Sequence, residues 1–116
     1  MAYVDGFVLP VPKKSLADYK KMAQLGKKVW LEHGALAYHE CVADDVPPGK
    51  LTSFPKAVKL KDDETVVFAW IVFRSRAHRD RVNAKVMKDP RMDVFKDMPF
   101  DARRMIYGGF KTLVAG

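Results

Sequence analysis

A single carboxylate stands where chemistry is easiest to imagine. Asp5 sits in the middle of YVDGF, and Tyr3, Asp5, Phe7 and Leu9 fall on one face of an extended segment. A carboxylate among such neighbours needs a cation or hydrogen-bond donors, or its pKa rises. Read as chemistry, Asp5 is a general base or an anchor for a ligand. Read as structure, it is half of an ion pair with an Arg or His across the sheet or across a dimer, and such pairs perturb pKa values too. The ion pair is the preferred reading. The other polar-tipped or aromatic candidates are Trp30, His33, His39, Cys41, Trp70, His78 and Tyr107. His39 and Cys41 are two apart and point the same way on a strand, with His33 nearby in sequence. Their spacing matches no standard metal site, so no metal is expected. Cys41 has the character of a buried apolar thiol rather than a nucleophile. Trp30 and Trp70 are core aromatics by type, and both suit the apolar wall of a pocket. Gly6, Gly108 and Gly109 mark places where another group approaches a strand closely. No phosphate-cradling glycine motif is present, and no cofactor is expected.

Hydrophobic periodicity says which elements position these residues. YVDGFVLPV (3–11) is rich in β-formers and ends at prolines, so it is predicted as a strand. Ser15 is placed to cap the next segment. Leu16, Tyr19, Ala23, Gly26, Trp30 and His33 then recur at helical spacing, giving a helix over 15–32 stopped at Gly34. ALAYHECVA (35–43) and TVVFAWIVF (65–73) are strands. Ser75 caps a second helix over 76–88 that ends before Pro90, and RRMIYGGFKTLV (103–114) is the last strand. The order β-α-β-β-α-β is the ferredoxin-like arrangement: an α+β fold with an antiparallel sheet and both helices on one face. His78 falls in the first turn of the second helix. The positive end of the helix dipole disfavours its proton there, so it is expected to be neutral at pH 7.

The third strand carries a further message. Val66, Phe68, Trp70 and Val72 occupy one face, and Val67, Ala69, Ile71 and Phe73 the other. A strand apolar on both sides must be covered on both sides. The helices cover one. A second copy of the chain is expected to cover the other, sheet against sheet, as a homodimer; the alternative cover is the long loop, residues 44–64. That loop exceeds the usual connection length. Its prolines and Gly49 argue against a helix, and residues 57–60 are a candidate extra strand. The loop is read as an arm embracing the partner.

Residues 74–91 hold Arg74, Arg76, Arg79, Arg81, Lys85, Lys88 and Arg91 against Asp80 and Asp89. This is most of the chain's net charge of +7. On a helical wheel only Arg81, Lys85 and Lys88 align, and no aromatic intervenes between Phe73 and Phe95, so nucleic-acid binding is the lesser reading. Arg79 or Arg81, beside the inward pair Val82 and Val86, can reach Asp5 or an acidic ligand. With 48% hydrophobic and 30% charged residues, the 116 residues describe one folded domain. No apolar run is long enough to span a membrane. The single cysteine and the absence of a signal-like N-terminus place the chain in the cytoplasm as an expectation.

The stretches YVDGFVLPVP, TSFPKAVKLK, TVVFAWIVF, SRAHRDRVNAKVMKDPR and MPFDARRMIYGGF resemble the YbaA-like bacterial family, a domain of unknown function, from Tyr3 to about Val114. The resemblance implies a ferredoxin-like fold of the dimeric α/β-barrel superfamily. It brings no reaction and no catalytic residues, and analogy with other barrels of that kind rests on fold alone. The combined expectation is a homodimer that binds a small organic ligand between sheet and helices. Asp5, Trp30, His33, Trp70, His78, Arg81 and Tyr107 are the lining candidates. The alternatives are an RNA- or anion-binding accessory protein and a purely structural dimer.

Overall fold

A computed structural model describes residues 2–116. Four strands and three helices follow in the order β1 (Tyr3–Pro12), α1 (Leu16–Glu32), β2 (Ala37–Val42), α2 (Phe54–Ala57), β3 (Glu64–Phe73), α3 (Arg76–Lys88) and β4 (Ile106–Lys111). Between α3 and β4 the chain runs through 3-10 turns at Pro90–Asp97 and Ala102–Arg104. The sheet order is β2-β3-β1-β4, antiparallel throughout, so the fold is α+β as expected. β1 is central, yet it contains Pro10 and Pro12. They fit because β4 stops pairing at Val8, leaving that end of β1 with one neighbour.

The register puts Tyr3 opposite Phe73 and Asp5 opposite Ile71, so these residues share a sheet face. Val29 of α1 and Val82 and Val86 of α3 pack on that face against Tyr3, Ile71 and Phe73. Both helices therefore lie on the same side. A second cluster under the start of α1 joins Tyr19 to Leu9, Val11 and Val67. Gly34, at φ +116, ends α1 in a conformation open to glycine, as its sequence position indicated. Ser75 caps α3 by accepting from the His78 N–H at 3.1 Å. The expected cap at Ser15 does not form. A 3-10 turn at Lys13–Ser15 leads into α1, and the Ser15 side chain makes no capping bond.

The loop over 44–64 also departs from expectation. Residues 57–60 form no strand. A single helical turn, α2, forms instead, capped by Ser53, whose Oγ accepts from the Lys56 N–H at 3.1 Å. Pro55 does not oppose it, because the first helical turn has no use for the N–H that proline lacks. The turn lowers Val58 onto the outer sheet face, where it is fully buried with Val8 and Val66. The loop thus covers one end of that face. At the other end Phe68, Ile106 and Phe110 stay exposed around Trp70 and Val4. The last strand is shorter than its apolar run, because Asp101 draws Arg103 and Arg104 into a turn. Arg104 also reaches back to the buried Glu64 at 2.6 Å, fastening this turn to the start of β3.

Candidate ligand cleft

On the helix side of the sheet, a cleft of about 1080 Å³ lies between β1, β4, α3 and the turns of 90–105. Arg79, Asn83 and Met87 line it from α3, each four residues from the next. His78, Val82 and Val86, one step round the helix, form the row that packs inward. The turns contribute Met92, Phe95, Met98, Phe100 and Met105, so the walls are mostly apolar.

Asp5 is buried at the polar end. Arg79 Nη1 donates to Asp5 Oδ1 at 2.9 Å, and Asn83 Nδ2 donates to Oδ2 at 3.3 Å. Trp30 Nε1 in turn donates to Asn83 Oδ1 at 3.0 Å, orienting the amide. The Arg79 guanidinium lies 5.0 Å over the Tyr3 ring, and its Nη2 reaches the Tyr3 hydroxyl at 3.4 Å. Burial still dominates: it pushes the Asp5 pKa above the usual carboxylate range against the opposing pull of Arg79 and Asn83. Gly109 makes this corner possible, since a Cβ there would stand 2.3 Å from the Tyr3 hydroxyl. Of the three glycines singled out, only Gly109 marks a close approach, that of Tyr3; Gly6 and Gly108 have only Phe110 near them, at ordinary contact distance.

An inner chamber of about 130 Å³ adjoins the cleft. The two share Phe7, Trp30, Phe95, Met98, Phe100 and Met105 as walls. At its far side stands Glu40 of β2. Tyr19 of α1 donates to its Oε1, and Tyr38 donates to Oε2 at 2.5 Å. Burial first, and then the charge of Glu40, raise the pKa of both phenols, so they remain protonated donors.

Three of the expected lining residues meet here. Asp5, Trp30 and Tyr107 all border the cleft, with Tyr107 stacked on Phe7 at 6.3 Å between ring centroids. Four lie elsewhere. Trp70 is on the opposite sheet face, stacked on His39 at 4.9 Å. The neighbouring Cys41 is exposed. His33 ties the end of α1 to the end of α3, its Nε2 2.9 Å from Asp89 Oδ2, beside an Arg91 bridge to Glu32. His78 is buried between the helices, and its Nδ1 accepts from the Arg74 N–H at 3.0 Å. Its pKa is lowered by burial and by the nearby arginines, in line with a neutral ring. Arg81 is exposed on the outer side of α3; Arg79, one of the two arginines weighed as partners of Asp5, makes the contact. Sequence reading missed Asn83, Tyr19, Tyr38 and Glu40. The signal for Glu40 was present: it is a charged residue of the same parity as Tyr38 on the short strand Ala37–Val42. Among the described residues no three His, Cys, Asp or Glu side chains gather as a metal site, and no helix is long and apolar enough to cross a membrane.

These features define an α+β chain with a polar-ended cleft between sheet and helices. A de novo designed protein, Foldit4, has a similar backbone, with a TM-score of 0.51 over 97% of this chain and 99% of that one at 10% identity, which is a likeness of fold alone. The chain belongs to the family described as protein of unknown function (DUF1428), which matches residues 2–102. It is 50% identical over 115 residues, 98% of each chain, to the uncharacterized protein YbaA of Escherichia coli K12, and equally similar to that of Shigella flexneri.

Proposed function

We propose that this protein binds a small, mostly apolar organic molecule in the cleft between sheet and helices, and that it does so as a homodimer. The observation that carries the reading is the Trp30–Asn83–Asp5–Arg79 network, an ordered polar end to a cleft walled by Phe and Met. Few convergent polar groups in an apolar recess are the usual form of a ligand site. Arg79 offsets the Asp5 charge, leaving the pair able to orient a hydroxyl or carbonyl. The test uses Trp30 as reporter in a Trp70→Phe variant, titrated with 2-phenylethanol. The reading expects a saturable change in Trp30 emission that is lost in Ala23→Phe, which fills the inner chamber. An unchanged emission up to millimolar probe would overturn it.

For the dimer, support comes from Phe68, Ile106 and Phe110, exposed together around Trp70 on the outer sheet face beyond the reach of Val58. A second ferredoxin-like chain stacked there would complete a dimeric α/β barrel. An exposed free thiol at Cys41 suits a reducing compartment such as the cytoplasm.

A second reading has one observation in its favour. The outward sides of both helices are basic, with Lys20, Lys21, Lys27 and Lys28 of α1 and Arg81, Lys85 and Lys88 of α3 exposed. An RNA-binding role predicts a salt-dependent mobility shift that charge reversal at Arg81, Lys85 and Lys88 abolishes. No shift at low salt rules it out.

A further inference from the structure

The two carboxylates that border the apolar recess differ in one respect. Asp5 is matched by Arg79 at 2.9 Å. Glu40 has no Lys, Arg or His within salt-bridge distance among the described residues, and no basic side chain lines the inner chamber. Its hydrogen bonds come from two neutral phenols, Tyr19 and Tyr38. Two phenols leave part of a carboxylate's acceptor capacity free, since the two oxygens offer about four lone-pair directions. They also supply no positive charge. A half-buried negative charge facing aromatic walls lacks only a cation.

The helix above is shaped for this arrangement. Gly26 lies in mid-α1, where glycine costs about 1 kcal/mol relative to alanine. A Cβ there would stand 2.9 Å from the Tyr38 hydroxyl and 3.4 Å from the Phe95 ring. Glycine at this position lets the phenol reach Glu40 and lets Phe95 close the chamber.

We infer that the inner chamber takes a compact organic ammonium, an alkyl- or aryl-amine in its protonated form, with Glu40 as counter-ion. The aromatic faces of Trp30, Phe95 and Phe100 surround the cationic carbon framework, and the two phenols hold the carboxylate in place. Aromatic walls with one carboxylate are the chemistry that recognises such cations. The inference rests on the cleft being a ligand site and adds the charge of the ligand.

The experiment compares three probes of similar size in the Trp70→Phe protein, read by Trp30 emission: 2-phenylethylamine, 2-phenylethanol and phenylacetate. The amine is expected to bind at least about tenfold more tightly than the alcohol, and phenylacetate least, as a desolvated cation contact implies. Glu40→Gln should remove the preference for the amine, bringing the amine and alcohol affinities to within about twofold of each other, since the charge contact is lost. Tyr19→Phe, which keeps the charge and removes one donor, should retain a preference for the amine and so covers the case in which Glu40→Gln does not fold. Equal binding of amine and alcohol, or a preference for phenylacetate, overturns the ammonium site while leaving the cleft as a ligand site. Failure of all three probes overturns both.

Discussion

The two faces of the sheet are built from the same kinds of residue and end in different states. On the helix side, Phe73, Ile71 and Tyr3 are sealed by Val29, Val82 and Val86. On the outer side, Val8 and Val66 are sealed by Val58, but Phe68, Ile106 and Phe110 are not. Polar groups follow the same division. The inner face holds Asp5 and Glu40, each with ordered partners; on the outer face Glu64 is paired with Arg104, which also reaches the Val58 carbonyl at the covered end, while His39 and Cys41 stand beside Trp70 at the open end. The difference teaches that an apolar strand residue stabilises the fold only where the chain itself supplies the other half of the contact.

That contrast is easiest to break at matched positions on β3. Phe73→Ala should cost about 3–5 kcal/mol in urea denaturation, because Phe73 is wholly buried and its removal leaves a cavity. Phe68→Ala should cost the single chain less than about 1 kcal/mol, because the side chain is 42% exposed. Equal losses would mean that the outer face is sealed within one chain.

Next in size is the polar end of the cleft. Arg79→Leu should destabilise by about 3 kcal/mol, since it strands the buried Asp5 charge. Arg81→Leu, two residues on and exposed, should stay within about 0.5 kcal/mol. Adding Asp5→Asn to Arg79→Leu should recover part of the loss, as a double-mutant cycle in denaturant would show.

Phe68→Asp sharpens the comparison from the other side. It should leave the urea midpoint at low protein concentration nearly unchanged, yet halve the mass found by light scattering at micromolar concentration.

The smallest effect concerns pH. Hydrogen bonds from Arg104 lower the Glu64 pKa below its unfolded value, ordinarily about 4.3. A carboxylate shifted down contributes stability that is fully present above the unfolded pKa and disappears as pH falls through the folded one. Denaturation between pH 7 and pH 3 should therefore show a loss that Glu64→Gln flattens. A slope unchanged by Glu64→Gln would separate this pair from the acid response.

Much of this was legible in the sequence. The element order, the ends of α3 and the two-sided apolar character of β3 follow from spacing and composition. So does the preferred reading of Asp5 as half of an ion pair with an Arg or His, of which the structure supplies Arg79. What was not legible depends on tertiary geometry. His33 and His78 lie at helix ends, where sequence alone cannot separate a fastening from a lining role. Trp70 has the same parity as Val66 and Val72, and only the helix packing shows which parity faces inward. The helical turn at Phe54–Ala57 was hidden by Pro55, since a proline's effect depends on whether it falls in a first turn. Glu40 escaped notice because its partners come from α1 and from its own strand, 21 and 2 residues away.

The most direct single measurement is native mass spectrometry of freshly purified protein. The account expects a particle of two 13.2 kDa chains that releases a small organic mass on gentle activation. A bare single chain at micromolar concentration would contradict both the shared outer face and the occupied cleft.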